Sequence, residues 1–527
     1  MSDSETDLFQ YTSGRWLWNE EQQLKNRYTP FNVPELKRIA AHSIGAGTCT
    51  AITKLAEGNY NKCFRLEMDN GSAVIARIPH PNAGPRYYTT ASEVATMDFA
   101  RTILGIPTPH VYAWDADKDN SVGSEYIIME EASGTMVQEV WEDLSIDDKM
   151  DFTQELAELQ TKLLQVPLNC YGSLYYATSN IKDAVPAETS GEVTPELRDE
   201  IRRRFVIGPV ALRDYWNNQR AKMALDRGPW QQPQDYLLSL ARREEAWIQQ
   251  YATTTSPSED CPQAPSATQN DPESHLSLLH KYAEVAPHLL PTDPALNAPN
   301  LWHTDLHAGN LFIQNGRVSS VIDWQGQWIA PLMLQGRPPK LVYYDGEIVF
   351  ENPENFDNLD AQEKSRIREC MGKSMVFYLY QLRIKNMCPL LLELFGYPYG
   401  ETRTVPVSMM GNTWDNDIIR LRGSLIMVER YWESMGFDIP CPIHFKEEEI
   451  HNCIEEEGEI WNRIQNFWDK AAKVVDREGF SFHECYDHAV LLFKKVREAC
   501  KEGMEGKEWE MWDKQTRWVE KHYRTDS

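Results

Sequence analysis

Asp305, Asn310 and Asp323 are the residues whose types and spacing could do chemistry together. They border two short apolar runs, 311–313 and 318–322, separated by Gln314-Asn315-Gly316-Arg317. Asn-Gly between strand-like runs is the strongest short hairpin signal, because both residues accept positive φ. Folding the chain there sets Ile313 opposite Val318 and Leu311 opposite Ser320, and brings Asn310 and Asp323 to one end. Asp305 lies upstream, in a loop that Gly309 helps to turn. Mg²⁺ prefers hard oxygen ligands, usually one or two carboxylates plus phosphate oxygens. Asn310 and Asp323 suit that role, which leaves Asp305 free to take a proton from a hydroxyl. This is the division of labour in kinase-type phosphoryl transfer. Two alternatives stand beside it. Asp305 could be a purely structural turn residue. His303 and His307, four apart, could bind a transition metal. Such a pair shares a face only on a helix, and this stretch leads into a strand. His303 therefore reads as a brace for the loop, and His307 as a brace or a substrate contact.

Other elements must position this set. Residues 52–55, 62–68 and 72–78 read as strands, joined by a small loop at 56–61 and a tight Asn70-Gly71 turn. The loop carries one glycine, Gly58, followed by Asn59. Arg77 ends Val74-Ile75-Ala76-Arg77, where a nucleotide-binding strand would carry lysine. Arginine keeps the charge and can bind phosphate oxygens in bidentate fashion, though it does not replace lysine like for like. Lys62 is a backup cation. A helix follows from Thr90, and Glu93 on it either pairs with Arg77 or forms a capping box with Thr90. Residues 111–114 and 125–129 read as a strand pair. Ser145 caps another helix, with Phe152, Leu156, Leu159 and Leu163 on its core face. Residues 186–250 read as helical and charged, with Gly-Pro breaks at 208–209 and 228–229. The stretch 253–272 has the composition of a disordered loop, and a helix resumes over 275–288. Beyond Asp323 the chain reads as irregular to about 345, then mainly helical. A buried helix is expected over 375–395, with long helical stretches at 414–436, 450–475 and 484–523. At the other end, Val33–Ser43 reads as a short helix. The aromatic residues of 8–30 predict an arm packed on a domain.

With 527 residues the chain is too long for one core. A net charge of −26 argues against nucleic acid and anionic membranes, and would suit a cationic small molecule such as an amine. No run approaches a membrane span. Ten cysteines stand singly, which fits thiols in a reducing compartment. The acidic residues 1–7 resemble neither a signal peptide nor an Arg-rich transit peptide.

His303, Asp305, His307, Asn310 and Ile322-Asp323-Trp324 fit, position by position, the His-x-Asp-x-x-x-x-Asn … Ile-Asp-Trp pattern. In this the chain resembles the aminoglycoside phosphotransferases and related small-molecule kinases. The resemblance implies an α+β, two-lobed, protein-kinase-like fold. A small antiparallel-sheet N-lobe over 51–131 would precede a mostly helical C-lobe over 132–405. A helical insertion would span about 178–300, with an arm at 1–50 and a helical extension at 406–527. It also implies ATP and Mg²⁺ as cofactors, and a lobe hinge where backbone groups of residues such as Glu130 and Ala132 meet adenine. The runs 11–18, 30–33, 74–79, 89–97 and 322–325 further resemble fungal altered inheritance of mitochondria proteins. That likeness implies a mitochondrial location, with the cytoplasm as the alternative. The expected activity is ATP-dependent phosphorylation of a small-molecule hydroxyl. The alternative is a catalytically silent pseudokinase that binds nucleotide or a partner.

Overall fold

The computed structural model describes residues 5–252, 266, 268–411, 413–415, 418–458, 474–476 and 478–503. Its first lobe is a five-stranded antiparallel sheet in the order Cys49–Glu57, Asn61–Met68, Ala73–Pro79, Tyr126–Glu130, Val111–Asp115. Side chains alternate across a strand, and the two faces here meet different partners. Phe64, Leu66 and Met68 join Val74, Ala76, Ile78 and Ile128 in a core completed by Phe31, Leu36 and Ala40. The last three belong to the N-terminal arm and its helix Val33–Ser43, whose first turn Asn32 caps by accepting from Glu35 N–H. The opposite face carries Cys63, Ile75 and Arg77 toward a cleft. Helix Tyr88–Thr102 packs against the sheet on its way to the second lobe.

The second lobe is built on helices. Ile146–Leu163 packs along Ala361–Met387, and Pro233–Tyr251 pairs with Pro272–Leu289. Asp271 caps the last of these by accepting from Glu273 and Ser274 N–H, with Pro272 at the first helical position. Hairpin strands Leu311–Gln314 and Arg317–Val321 meet at Asn315 and Gly316, with φ of 53° and 75°. A short strand, Thr135–Met136, pairs with the outer edge of the first.

Several expectations are corrected. Leu311 pairs with Val321 rather than Ser320, because a bulge between Phe312 and Ile313 shifts the register; Ile313 does face Val318. The insertion is not wholly helical. Within it Val185–Pro186 and Phe205–Gly208 join Ser173–Tyr176, just ahead of it, in a three-stranded sheet, as their aromatic and β-branched content favours. Residues 375–395 are not one helix, and only one face is buried, through Val376, Tyr380, Ile384, Leu391 and Leu394. The helix ends at Met387 before Pro389, and Met375, Tyr378 and Leu382 leave a stripe exposed. Of the expected disordered loop, 253–265 and 267 lie outside the described residues. Gln269 at its end is buried and donates to the carbonyls of Thr413 and Trp414. Of the expected helices 450–475 and 484–523, helix is described over 447–458 and His483–Gly503, while 474–475 are described and not helical. Between them Phe480–Phe482 is a strand, paired antiparallel with Gly14–Trp16 of the arm. Trp18, Tyr486 and Phe493 close a small core there. Among the described residues no helix is long and apolar enough to cross a membrane.

Candidate active site

A cavity of about 990 Å³ lies between the lobes. Gly58, Asn59, Arg77 and Glu93 line it from the sheet side, and Asp305, Asn310 and Asp323 from the helical side. Residues from 77 to 323 therefore share one space.

Arg77 is its hub. One guanidinium nitrogen donates to Glu93 at 2.5 Å, the other to Asp323 at 2.7 Å and to the Gln325 side-chain oxygen at 2.7 Å. Arg77 and Glu93 are buried, with side-chain exposures of 8% and 3%. Burial would lower the Arg77 pKa, but Glu93 and Asp323 outweigh it and hold the pKa above its ordinary value. Burial pushes the Glu93 carboxyl up to about 7, against the charge and hydrogen bond of Arg77, which pull it down. Glu93 sits in the interior of helix Tyr88–Thr102, and Thr90 donates to Glu125 instead, so the capping-box alternative is set aside. Gln325 also accepts from Asn61 and donates to Ala83 O, which ties the hairpin's end to the sheet.

Asp323 has φ 64°, a left-handed conformation that aspartate tolerates better than most residues. Burial pushes its carboxyl up, but the Arg77 charge and hydrogen bond prevail and hold it below the ordinary value. Only its Oδ1 is hydrogen-bonded among the described residues. Asn310 is buried; its amide nitrogen donates to Asp305 O at 2.9 Å and lies 3.2 Å from His307 Nε2. Its Oδ1 accepts nothing among the described residues. One carboxylate oxygen and one amide oxygen are thus open, a donor set that fits Mg²⁺ completed by phosphate oxygens. Among the described residues no three His, Cys, Asp or Glu side chains cluster as a metal site.

Asp305 is half exposed, with Oδ2 3.5 Å from His307 Nε2 and Oδ1 3.9 Å from Lys340 Nζ. His307 Nδ1 accepts from Gly309 N–H. His303 is buried edge-on to Trp324, and its Nε2 donates to Ile322 O at 2.9 Å. Burial lowers its pKa and keeps it neutral. The two histidines thus turn to different partners.

At the hinge, Glu130 N–H is spent on His110 O, and the Glu130 side chain pairs with Arg101 at 3.3 Å. Ala132 also lines the cavity, and its backbone takes no backbone partner among the described residues. Lys62 is not brought to the cleft. It sits on the arm side of the sheet with no exposure, donating to Arg27 O at 2.5 Å and lying 3.7 Å from Glu57. Its alternation with Phe64 and Leu66 carried that signal. Gln325 and Arg213, both on the cavity wall, were not singled out in the sequence. Gln325 was legible only as the neighbour of Ile322-Asp323-Trp324, and Arg213 had no local signal.

Fold and site together define a two-lobed protein of the kinase-like class, with an arginine–glutamate pair in one lobe and an Asp/Asn/Asp set in the other. The chain belongs to the phosphotransferase enzyme family, whose sequence profile matches residues 51–332. A subtelomeric hrmA-associated cluster protein of Aspergillus fumigatus is 32% identical over 505 residues, covering 86% of this chain and 94% of the relative. Altered inheritance of mitochondria protein 9, mitochondrial, of Yarrowia lipolytica is 25% identical, covering 86% and 82%. Among solved structures, a thermostable mutant of aminoglycoside phosphotransferase APH(4)-Ia aligns with 76% of this chain and 99% of its own. Its identity is 12% and its TM-score 0.35.

Proposed function

We propose that this protein is an ATP- and Mg²⁺-dependent phosphotransferase acting on a hydroxyl of a small molecule. One observation carries the reading: a catalytic-type carboxylate, two open oxygen ligands and a buried arginine line one cavity large enough for a nucleotide and an acceptor. Asp305 is the base. It takes the acceptor's proton as the acceptor oxygen bonds to the terminal phosphorus and the bond to ADP breaks. Asn310 and Asp323 would hold Mg²⁺, which when bound would supply charge neutralisation at the phosphate oxygens. Arg77 orients phosphates and Glu93 orients Arg77. Gly58 and Asn59 cover the phosphates, Ala132 and the carbonyl side of Glu130 face adenine, and His303 and His307 support the loop.

A screen of hydroxyl metabolites with γ-labelled ATP tests this. Label transfer to one compound, lost about 10²–10⁴-fold in Asp305→Ala while ATP still binds, is the expected result. Full activity in that variant overturns the assignment. The second reading, a silent nucleotide-binding protein, is favoured by the Arg77–Asp323 contact, which occupies one oxygen of a metal ligand. Nucleotide binding that ignores Mg²⁺, with no transfer to any acceptor, selects it. Residence in mitochondria is proposed from the relatives named altered inheritance of mitochondria protein 9, mitochondrial. Fractionation of cells carrying the tagged full-length protein checks it.

A further inference from the structure

The cavity wall holds two arginines, Arg77 and Arg213, and no lysine, against seven carboxylates: Glu93, Glu130, Glu131, Glu139, Asp214, Asp305 and Asp323. A nucleoside triphosphate entering this acidic space needs cationic partners. Arg77 is already neutralised by Glu93 and Asp323. Arg213 makes no ion pair among the described residues. Its guanidinium lies over the Tyr60 ring, 4.2 Å from the centroid, and donates to the phenol oxygen. Its Nε is buried with no hydrogen-bond partner. The cleft thus contains a cation that is half-buried, held by a neutral phenol, and short of an acceptor.

Both sides of that contact are built to persist. Tyr60 belongs to the loop that carries Gly58 and Asn59. His80 N–H donates to Tyr60 O at 2.8 Å, the His80 ring meets Gly58 O at 3.2 Å, and Gly58 N–H donates to Asn61 O at 3.0 Å. The loop keeps its shape without Arg213. Arg213 opens a short turn, Arg213–Tyr215, anchored by its neighbours. The Tyr215 hydroxyl lies 2.7 Å from Ser239 Oγ in the core, and Trp216 stacks on Tyr88 at 5.0 Å while donating to Val210 O. The arginine is therefore delivered to the phosphate loop by a rigid segment of the insertion.

We propose that Arg213 is a second phosphate-binding cation, which exchanges the Tyr60 hydroxyl for the terminal phosphate of a bound nucleoside triphosphate. The proposal rests on the nucleotide-dependent reading above. Phosphate offers the guanidinium an ionised acceptor and two parallel hydrogen bonds where the phenol offers one neutral oxygen, so the exchange is downhill. Held there, Arg213 stabilises the charge on the phosphoryl group in transit, from within the same chain.

Calorimetry with full-length protein, Mg²⁺, and either AMP-PNP or ADP tests it. Arg213→Ala is expected to weaken AMP-PNP about tenfold or more, the size of one lost charged hydrogen bond, and to leave ADP unchanged. Unchanged ADP affinity also shows that the variant is folded. Arg213→Lys recovers part of the loss, and Tyr60→Phe leaves AMP-PNP binding intact or tighter. Equal weakening of both nucleotides in Arg213→Ala and Arg213→Lys overturns the proposal, as does no change in either. Wild-type protein that binds neither nucleotide overturns the nucleotide reading itself, and this proposal with it.

Discussion

Arg77 and Asp323 stand 246 positions apart in the chain and meet at 2.7 Å across the cleft. This contact joins the sheet to the hairpin, so one arginine both seats the hairpin's acid and binds Glu93. The cleft is held by charge as well as by packing.

Removing that arginine strands a buried acid. In Arg77→Met, Glu93 loses its partner at 3% exposure. An uncompensated buried charge costs about 3–5 kcal/mol. Urea unfolding of Arg77→Met should show a loss of that order. The double variant Arg77→Met/Glu93→Leu should recover much of it, because the pair as a whole contributes far less than breaking it costs. A loss below about 1 kcal/mol, within the range of surface pairs, would show that the pair is solvated in solution.

Lys62 predicts an unusual pH dependence. Burial, opposed by Glu57, lowers its pKa from 10.5 to about 7. Between those values the unfolded chain holds a proton that the folded chain has lost, so stability rises with pH through this window. The slope from this group is about 1.4 kcal/mol per pH unit. Below the folded pKa both states are protonated, and the contribution is flat. Lys62→Met should remove the rise between pH 7 and 10.5 and stabilise the protein near neutrality. An unchanged slope in that variant would place the lysine charge in water.

The arm and the C-terminal strand predict a steric effect. A side chain at Gly14 would set its Cβ 2.4 Å from Ser481 O and 2.5 Å from the Phe480 ring. Gly14→Val should destabilise by about 1–3 kcal/mol, as overpacking does. Hydrogen exchange at 480–482 should quicken, since the strand loses its partner. Unaltered exchange would mean that this pairing is not populated.

What the sequence made legible follows from how local each signal is. Asn315-Gly316 announces its own turn, so the hairpin, with Asn310 and Asp323 both at its open end on the cavity wall, could be read from a dozen residues. The bulge could not. It lies where Thr135–Met136 pairs with Phe312 and Ile313, and where Gly134 packs so tightly that a Cβ would lie 2.4 Å from Ile313 O. Both partners come from far upstream. Arg77 and Glu93 were readable as a strand residue and a helix residue sixteen positions apart. That Glu93 pairs rather than caps depends on Glu125, which draws Thr90 away. Lys62 was misread as a cleft cation although its parity with Phe64 and Leu66 put it in the core behind the sheet. Phe480–Phe482 is only three residues long, and its identity as a strand depends on Gly14–Trp16. Arg213 matters because of the cavity it reaches, which no local pattern reveals.

On the proposed function, Asp323 and Asn310 present open oxygens to a magnesium ion shared with a nucleotide. Calorimetric titration of ATP into the full-length protein, with Mg²⁺ and with EDTA, tests it most directly. Binding that depends on Mg²⁺ in the wild type, and loses that dependence in Asp323→Ala and Asn310→Ala, is the predicted result. Binding equally strong in EDTA, or equally Mg²⁺-dependent in both variants, would contradict it.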